Sequence, residues 1–437
     1  RGNSTRDALS LPGNYSSKFC VRAMDFNKDG KPDLFVSGRV DPWNYPRPVS
    51  SFIFRNDSEK GRVKFTDVTE EVAPDLQNIG MICDALFTDF DGDGQTDLIV
   101  LGEWMPITFL KNVNGKFKNV TANSGISSKT GWWNSIAAGD FSHTGRTDYI
   151  LGNTGLNTLY QASDQYPVYI TAKDFDGNGR YVGIPSLFLP DQQGQKKEFP
   201  VDGRDDISKQ MNSLKRKFAN YKSYARAGLD DVLTPQQRNG ALRLNATMLQ
   251  SVYLRNDGGG KFTMIPLPKE AQISVVNGMV VDDFDGDGNL DVLMNGNDYG
   301  TDISIGRYDA LNGLLLKGDG AGGFTPLSIL QSGIYIPGNG KALVKLQSSS
   351  GNYLVAASQN RDVLKLYELK RKIKSIRVEP DDVSALIRLK NGQTRKEEFY
   401  YGTSFLSQSA RFLNLDSNTV NVTIRDSKGK TRTVSLP

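Results

Sequence analysis

The sequence predicts an all-β fold, a β-propeller of six to seven four-stranded blades, from three observations: a recurring nine-residue acidic loop, short apolar runs flanking each copy, and a spacing of tens of residues between copies. The complete copies are Asp25-Phe-Asn-Lys-Asp29-Gly-Lys-Pro-Asp33, Asp89-Phe-Asp-Gly-Asp93-Gly-Gln-Thr-Asp97 and Asp283-Phe-Asp-Gly-Asp287-Gly-Asn-Leu-Asp291. Oxygen side chains at positions one, three, five and nine, a turning Gly at six and a main-chain carbonyl at seven form the hard-oxygen shell that Ca²⁺ prefers. The ligand sets are therefore Asp25, Asn27, Asp29, Lys31 and Asp33; Asp89, Asp91, Asp93, Gln95 and Asp97; and Asp283, Asp285, Asp287, Asn289 and Asp291, with Lys31, Gln95 and Asn289 acting through main-chain oxygen. An EF-hand would carry Glu at position twelve, where Val36, Val100 and Met294 stand. The residues after each loop form apolar runs ended by Gly, which read as strands, so each loop joins a hairpin.

The elements follow in order. In blade one a strand over Phe19 to Met24 enters the loop, Leu34 to Val36 leaves it, and Ser51 to Arg55 and Val63 to Val68 complete four antiparallel strands. The order recurs from Met81 through Thr121, with Phe109-Leu-Lys-Asn and Lys116-Phe-Lys-Asn-Val as the outer pair, and from Ser274 through Pro326. Blade three is compressed around Trp133 to Tyr160. Blade four begins at Val168, carries an insertion at about 203–250, and closes with Ser251-Val-Tyr-Leu-Arg-Asn-Asp and Lys261-Phe-Thr-Met. A sixth unit spans about Gly333 to Tyr367, and a strand from residues 4 to 12 is available to complete a seventh. The insertion reads as a helix capped by Asp205 or Asp206, with Ile207, Met211, Leu214, Phe218 and Tyr221 as one apolar stripe and Lys209, Lys215, Arg216, Lys217 and Lys222 as its solvated face.

Two further loops are incomplete. Asp140-Phe-Ser-His-Thr-Gly-Arg-Thr-Asp148 offers hydroxyls at Ser142 and Thr144 and is the poorer metal candidate. Asp174, Asp176 and Asn178 retain the first three ligands of the other, which has Val182 at position nine.

These repeats resemble the FG-GAP or VCBS family, whose members fold as β-propellers and include integrin α-subunit heads. The run Trp132-Trp133-Asn134-Ser135-Ile136-Ala137-Ala138-Gly139-Asp140-Phe141 and Gly296-Asn-Asp-Tyr-Gly resemble large repeat proteins of Bacteroidetes. Tyr401-Gly402-Thr403-Ser404-Phe405-Leu406-Ser407-Gln408-Ser409 resembles the ASPIC/UnbV module found beside such repeats in cartilage acidic protein. The resemblance implies a calcium-stiffened propeller over 1–371 and a small β module over 372–437. It also implies a cell-exterior location.

Composition fits a turn-rich protein: 44 Gly, and a formal charge of +4 too small and dispersed to indicate a nucleic-acid partner. No segment is apolar enough for a transmembrane span. Residues 1 to 12 lack leader character, so a signal, anchor or further domains are expected upstream. Cys20 and Cys83 precede the first two loops by unequal offsets, which favours two buried thiols over a disulfide. The single His, His143, sits in an incomplete loop and excludes the usual Ser-His-Asp, Cys-His and zinc chemistries. A polysaccharide hydrolase or lyase working in the channel through carboxylates, Lys or Tyr is the enzyme alternative, and a purely structural module of a surface assembly is another.

In an up-and-down blade the metal loops lie on one face and the second-to-third and interblade loops on the other. Trp43, Tyr45, Trp104, Trp132, Trp133, Tyr299, Arg307 and Tyr308 all map to the second face. With Asn153, Asn157 and Asn297 as hydrogen-bonding neighbours, this face suits a glycan or protein ligand; the competing reading is that the rings fill space between loops. The sequence thus points to a non-catalytic extracellular recognition protein at a bacterial cell surface.

Overall fold

The computed structural model describes Leu11 and residues 16–303, 305–415 and 417–434. The strand expected from residues 4 to 12 lies outside the described residues except for Leu11.

Three sheets reproduce the predicted four-stranded meander. The first consists of Ser17–Met24, Asp33–Val40, Phe52–Asn56 and Phe65–Asp67. The second consists of Met81–Thr88, Asp97–Pro106, Thr108–Val113 and Lys116–Asn119, with Thr130–Trp132 paired along the C-terminal end of its second strand. The fifth consists of Val276–Asp282, Asp291–Gly296, Leu314–Gly318 and Phe324–Leu327. A sixth, three-stranded sheet follows at Gly340–Gln347, Tyr353–Gln359 and Lys365–Glu368.

Blades three and four differ from expectation. Ser135–Gly139 and Asp148–Gly152 pair with Val252–Gly258 and Lys261–Pro266, in the register Tyr149↔Leu254 and Ile150↔Tyr253. The strands assigned to the end of blade four therefore complete the third sheet. Between its halves lies a self-contained fourth sheet, ordered Lys196–Pro200, Val182–Pro190, Val168–Lys173, Leu242–Ala246. The segment at 203–250 holds five short helices, from Arg204–Gln210 to Pro235–Arg238, and then the last strand of that sheet. Gly203, rather than Asp205 or Asp206, is the cap. Ile207, Met211, Leu214 and Phe218 are buried against Val182 and Ile184, while Tyr221 is exposed.

Alternation along the strands builds the core between sheets. Ala85, Leu98 and Leu110 of the second sheet pack with Phe35 and Ile53 of the first, whereas Leu86, Ile99 and Phe109 pack with Ile136, Leu151 and Leu254 of the third. The first strands of sheets one, two, three, five and six are successive neighbours. Among the described residues, five sheets thus follow one another side by side.

The tail forms a two-stranded sheet, Lys374–Arg377 with Phe412–Leu415, and a four-stranded one, ordered Thr394–Glu398, Asp382–Leu389, Thr419–Asp426, Thr431–Val434. Its segment 401–410 bonds to the first strand at both ends of the sheet series. Ala23 N–H donates to Tyr401 O (3.2 Å), Ala410 N–H donates to Lys345 O (2.9 Å), and Leu343 N–H donates to Ser407 Oγ (3.0 Å). Cys20 and Cys83 are free and buried, and burial pushes their thiols up to about 11 and about 12.

Candidate metal centre and aromatic loop face

The ninth loop residue opens the second strand of its hairpin and is buried at Asp33, Asp97, Asp148 and Asp291. In each case its carboxylate accepts a main-chain N–H from the third strand: Asn56 (2.8 Å), Asn112 (2.7 Å), Asn256 (2.8 Å) and Gly318 (2.9 Å). The first-position carboxylate accepts the N–H of the sixth-position glycine, as from Gly30 to Asp25 (2.8 Å), Gly94 to Asp89 (3.1 Å) and Gly288 to Asp283 (3.0 Å). That closure needs the left-handed backbone these glycines adopt, at φ 87°, 84° and 98°.

Carboxylate oxygens of Asp89, Asp91 and Asp97 lie within 4.8 Å of one another, as do those of Asp283, Asp285 and Asp287. Each group attracts an ammonium from the third strand. Lys111 pairs with Asp91 and with Asp93 (2.9 Å), and Lys317 pairs with Asp285 and with Asp287 (3.1 Å). Asp97 Oδ2 is buried with no protein partner. Burial, reinforced by neighbouring carboxylates, pushes Asp97 up to about 8, Asp291 up to about 7 and Asp33 up to about 6. A clustered, desolvated carboxylate set with an unsatisfied oxygen fits a hard divalent cation.

The remaining loops differ. In the first, Asn27 Nδ2 donates to Asp29 (3.2 Å), and Asp25, Asp29 and Asp33 do not gather within the same limit. In the 140–148 loop the protein supplies the partners: Asp148 accepts from Asn256 N, Tyr253 Oη (2.9 Å) and Ser142 Oγ (3.0 Å), and Asp140 from Thr144, Gly145 and Lys396 main-chain N–H groups. Asp174 accepts from Asn178 and Gly179 on the fourth sheet, and its loop is mostly exposed.

The tail strand Thr394–Glu398 rests on these loops, a placement the sequence reading missed. Lys396 Nζ lies 2.8 Å from Glu398 and 3.8 Å from Asp89, and Arg395 donates to Gly288 O (2.6 Å). His143 bridges Asn289 Oδ1 (2.9 Å) and Thr394 O (3.3 Å), so it is a half-buried junction between the repeats and the tail. The dense charge of Thr-Arg-Lys-Glu-Glu, two cations followed by two anions, is the only local signal, and it does not identify a partner.

The aromatic residues divide into packed and exposed sets. Trp133 is fully buried in the core between sheets two and three. Trp104 is buried, meets Trp132 edge-on at 5.0 Å, and donates from Nε1 to Tyr45 Oη (2.7 Å); Trp132 in turn meets Tyr160 at 4.7 Å. Trp43 is 63% exposed, with the Arg180 guanidinium 4.4 Å from its ring. Tyr45 is partly exposed and donates to Glu103 (3.1 Å). Arg307 lies 4.9 Å over Tyr299, and Tyr308 Oη contacts Thr158 (2.8 Å). Asn153 and Asn297 are buried, with their amides donating to Met248 O, and to Leu311 and Gly338 O respectively; Asn157 donates to Ile273 O. The two buried asparagines are engaged in hydrogen bonds between segments of the chain.

No described helix is long and apolar enough to cross a membrane. No curated protein matches the chain. Among solved structures, the biofilm matrix protein Bap1 of V. cholerae aligns at 13% identity over 99% of this chain and 61% of that one, with a TM-score of 0.29. The chain thus spans about three-fifths of that protein. Residues 89–151, from the second sheet's acidic loop through the next hairpin, match the FG-GAP-like repeat.

Proposed function

We propose that this chain is a non-catalytic, calcium-stabilised β-propeller that recognises carbohydrate or protein at the exterior of a bacterial cell. The buried, unpartnered Asp97 oxygen within a converged acidic loop carries the reading, because such a group is costly unless a cation or proton satisfies it. Ca²⁺ would be held by Asp89, Asp91, Asp93, Asp97 and the Gln95 carbonyl, and by Asp283, Asp285, Asp287, Asp291 and the Asn289 carbonyl. The loops at 25–33 and 174–182 are weaker holders. Bound there, the ion neutralises the carboxylates and stiffens each hairpin. Extracellular modules bind Ca²⁺ at roughly 10⁻⁴ to 10⁻³ M, which favours the cell exterior.

The propeller reading is supported by five sheets with neighbouring first strands and a tail segment bonded to both ends of the series. Recognition is assigned to the rings that remain accessible, Trp43, Tyr45, Tyr299 and Tyr308, with Arg307. The reading divides the chain into the propeller at 1–371 and the ASPIC/UnbV-like module at 372–437. Affinity electrophoresis in calcium against microbial, plant and host polysaccharides, with product analysis, tests it. Retention without cleavage supports recognition, and released products would overturn the non-catalytic assignment.

A further inference from the structure

A cavity of about 310 Å³ lies on the acidic-loop side, between the loops of sheets one and two and the tail. That is the size of a small-molecule site. Phe26 and Phe87 from the repeats and Phe399, Tyr400 and Tyr401 from the tail line it, so its rings come from both parts of the chain.

Its charges are arranged unequally. Asp25, Asp89 and Asp426 accept main-chain N–H groups of their own loops, Asp382 is paired with Arg432, Glu398 is held by Lys396, Thr88 and Thr147, and Asp381 is exposed. The exposed cations Lys28, Arg425 and Lys428 also line the cleft, and among the described residues none has a carboxylate partner. Arg425 is held over Gly94, with both terminal nitrogens 3.1 Å from where a Cβ of that residue would stand. Arg411 lies 4.2 Å over Tyr401 and leaves its buried Nε without an acceptor.

We infer that this cleft binds an acidic saccharide, a short uronate segment whose ring faces lie on Tyr400 and Tyr401 and whose carboxylates meet Arg425, Lys428 and Lys28. The unpaired cations select an anion. The aromatic walls select a ring with an apolar face over an extended peptide, which would draw on main-chain partners along a strand edge. The inference rests on the calcium reading, because Asp25 and Asp89 would repel an anion unless their loops hold a cation.

Calorimetry of the full chain in calcium tests it with tetragalacturonate, the neutral galactose tetrasaccharide and an acidic peptide of matched charge. The uronate is expected to bind, with the other two about tenfold weaker, and the double substitution Arg425→Ala/Lys428→Ala should weaken uronate binding about tenfold. Both replaced side chains are exposed, so the variant's melting temperature should match the native value. Equal binding of the neutral oligomer or peptide, an unaffected double variant, or no uronate binding in calcium would overturn the cleft assignment. A calcium-dependent melt without uronate binding removes the cleft alone. Uronate binding with a melt indifferent to calcium supports the cleft and removes the calcium reading.

Discussion

Asp97 and Asp148 occupy equivalent positions in sheets two and three, and both accept a third-strand N–H, yet their second oxygens have opposite fates. Asp97 Oδ2 is buried without a partner, whereas Asp148 Oδ2 accepts from Tyr253 and Ser142. Asp97→Asn should therefore remove roughly half of the calcium-induced rise in melting temperature, the 283–291 loop supplying the rest. Asp148→Asn should instead lower stability equally with and without calcium, by about 1 to 3 kcal/mol, through lost hydrogen bonds. Thermal melts of the two variants in calcium and in chelator check the contrast; a calcium response unchanged in Asp97→Asn would remove the metal from that loop. The same burial sets a pH dependence. A carboxyl raised in the folded state keeps its proton there after the unfolded chain has released it, so the folded form binds more protons between the two values. With Asp33 at about 6, Asp291 at about 7 and Asp97 at about 8, stability of the calcium-free chain should fall as pH rises from about 4 through about 8. Calcium, which takes the proton's place, should flatten that fall. Denaturant midpoints at pH 5 and pH 8 measure it, and a calcium-free midpoint that rises with pH would contradict it.

The hairpin was legible in the sequence because its signals are local: the loop spacing, the apolar run after it and the Gly that ends the run. Which strands complete a sheet was not. Arg255-Asn256 is a recognisable third-strand pair like Lys111-Asn112, but its N–H reaches Asp148 across the whole fourth sheet, a distance no local pattern records. The helical stripe was legible as far as Phe218 and failed at Tyr221, where Asn220 caps a new helix and turns the ring outward. Tryptophans on loops posed the same difficulty, since loop position does not reveal whether a ring is covered. Trp104 and Trp43 now separate. Trp104→Ala should cost about 3 to 5 kcal/mol, because removing a buried ring leaves a cavity. Trp43→Ala should change stability by less than about 1 kcal/mol, since the ring is mostly exposed and its Arg180 contact is a surface cation–π pair. Chemical denaturation of both variants decides it, and equal losses would mean that Trp43 packs as Trp104 does.

At the scale of the whole molecule, the expected division at residue 371 meets a buried interface. Asp84 accepts from Ile136 N–H (3.0 Å) and Phe405 N–H (2.6 Å) and pairs with Arg22, whose guanidinium also donates to Phe405 O (2.8 Å). Asp282 accepts from Lys345 (3.0 Å), Tyr353 (3.1 Å) and Asn414 (2.7 Å). Phe405 and Asn414 belong to the tail, so two fully buried carboxylates of the repeats obtain part of their hydrogen bonding from it. Phe412 adds an apolar contact, meeting Tyr353 edge-on at 5.8 Å within the core of sheets five and six. The sequence pointed to a small β module here but not to this dependence, because partners more than a hundred residues apart leave no trace in local periodicity. A chain ended at 371 would leave Asp84 and Asp282 short of donors at about 1 to 3 kcal/mol each and uncover the aromatic seam. Its melting temperature should fall well below that of the full chain even in saturating calcium, and hydrogen exchange should rise first along Ser17–Met24 and Gly340–Gln347, the strands to which the tail bonds. A truncated chain that melts with the full one would show instead that the five sheets hold together without the tail, and that the interface adds position but no stability.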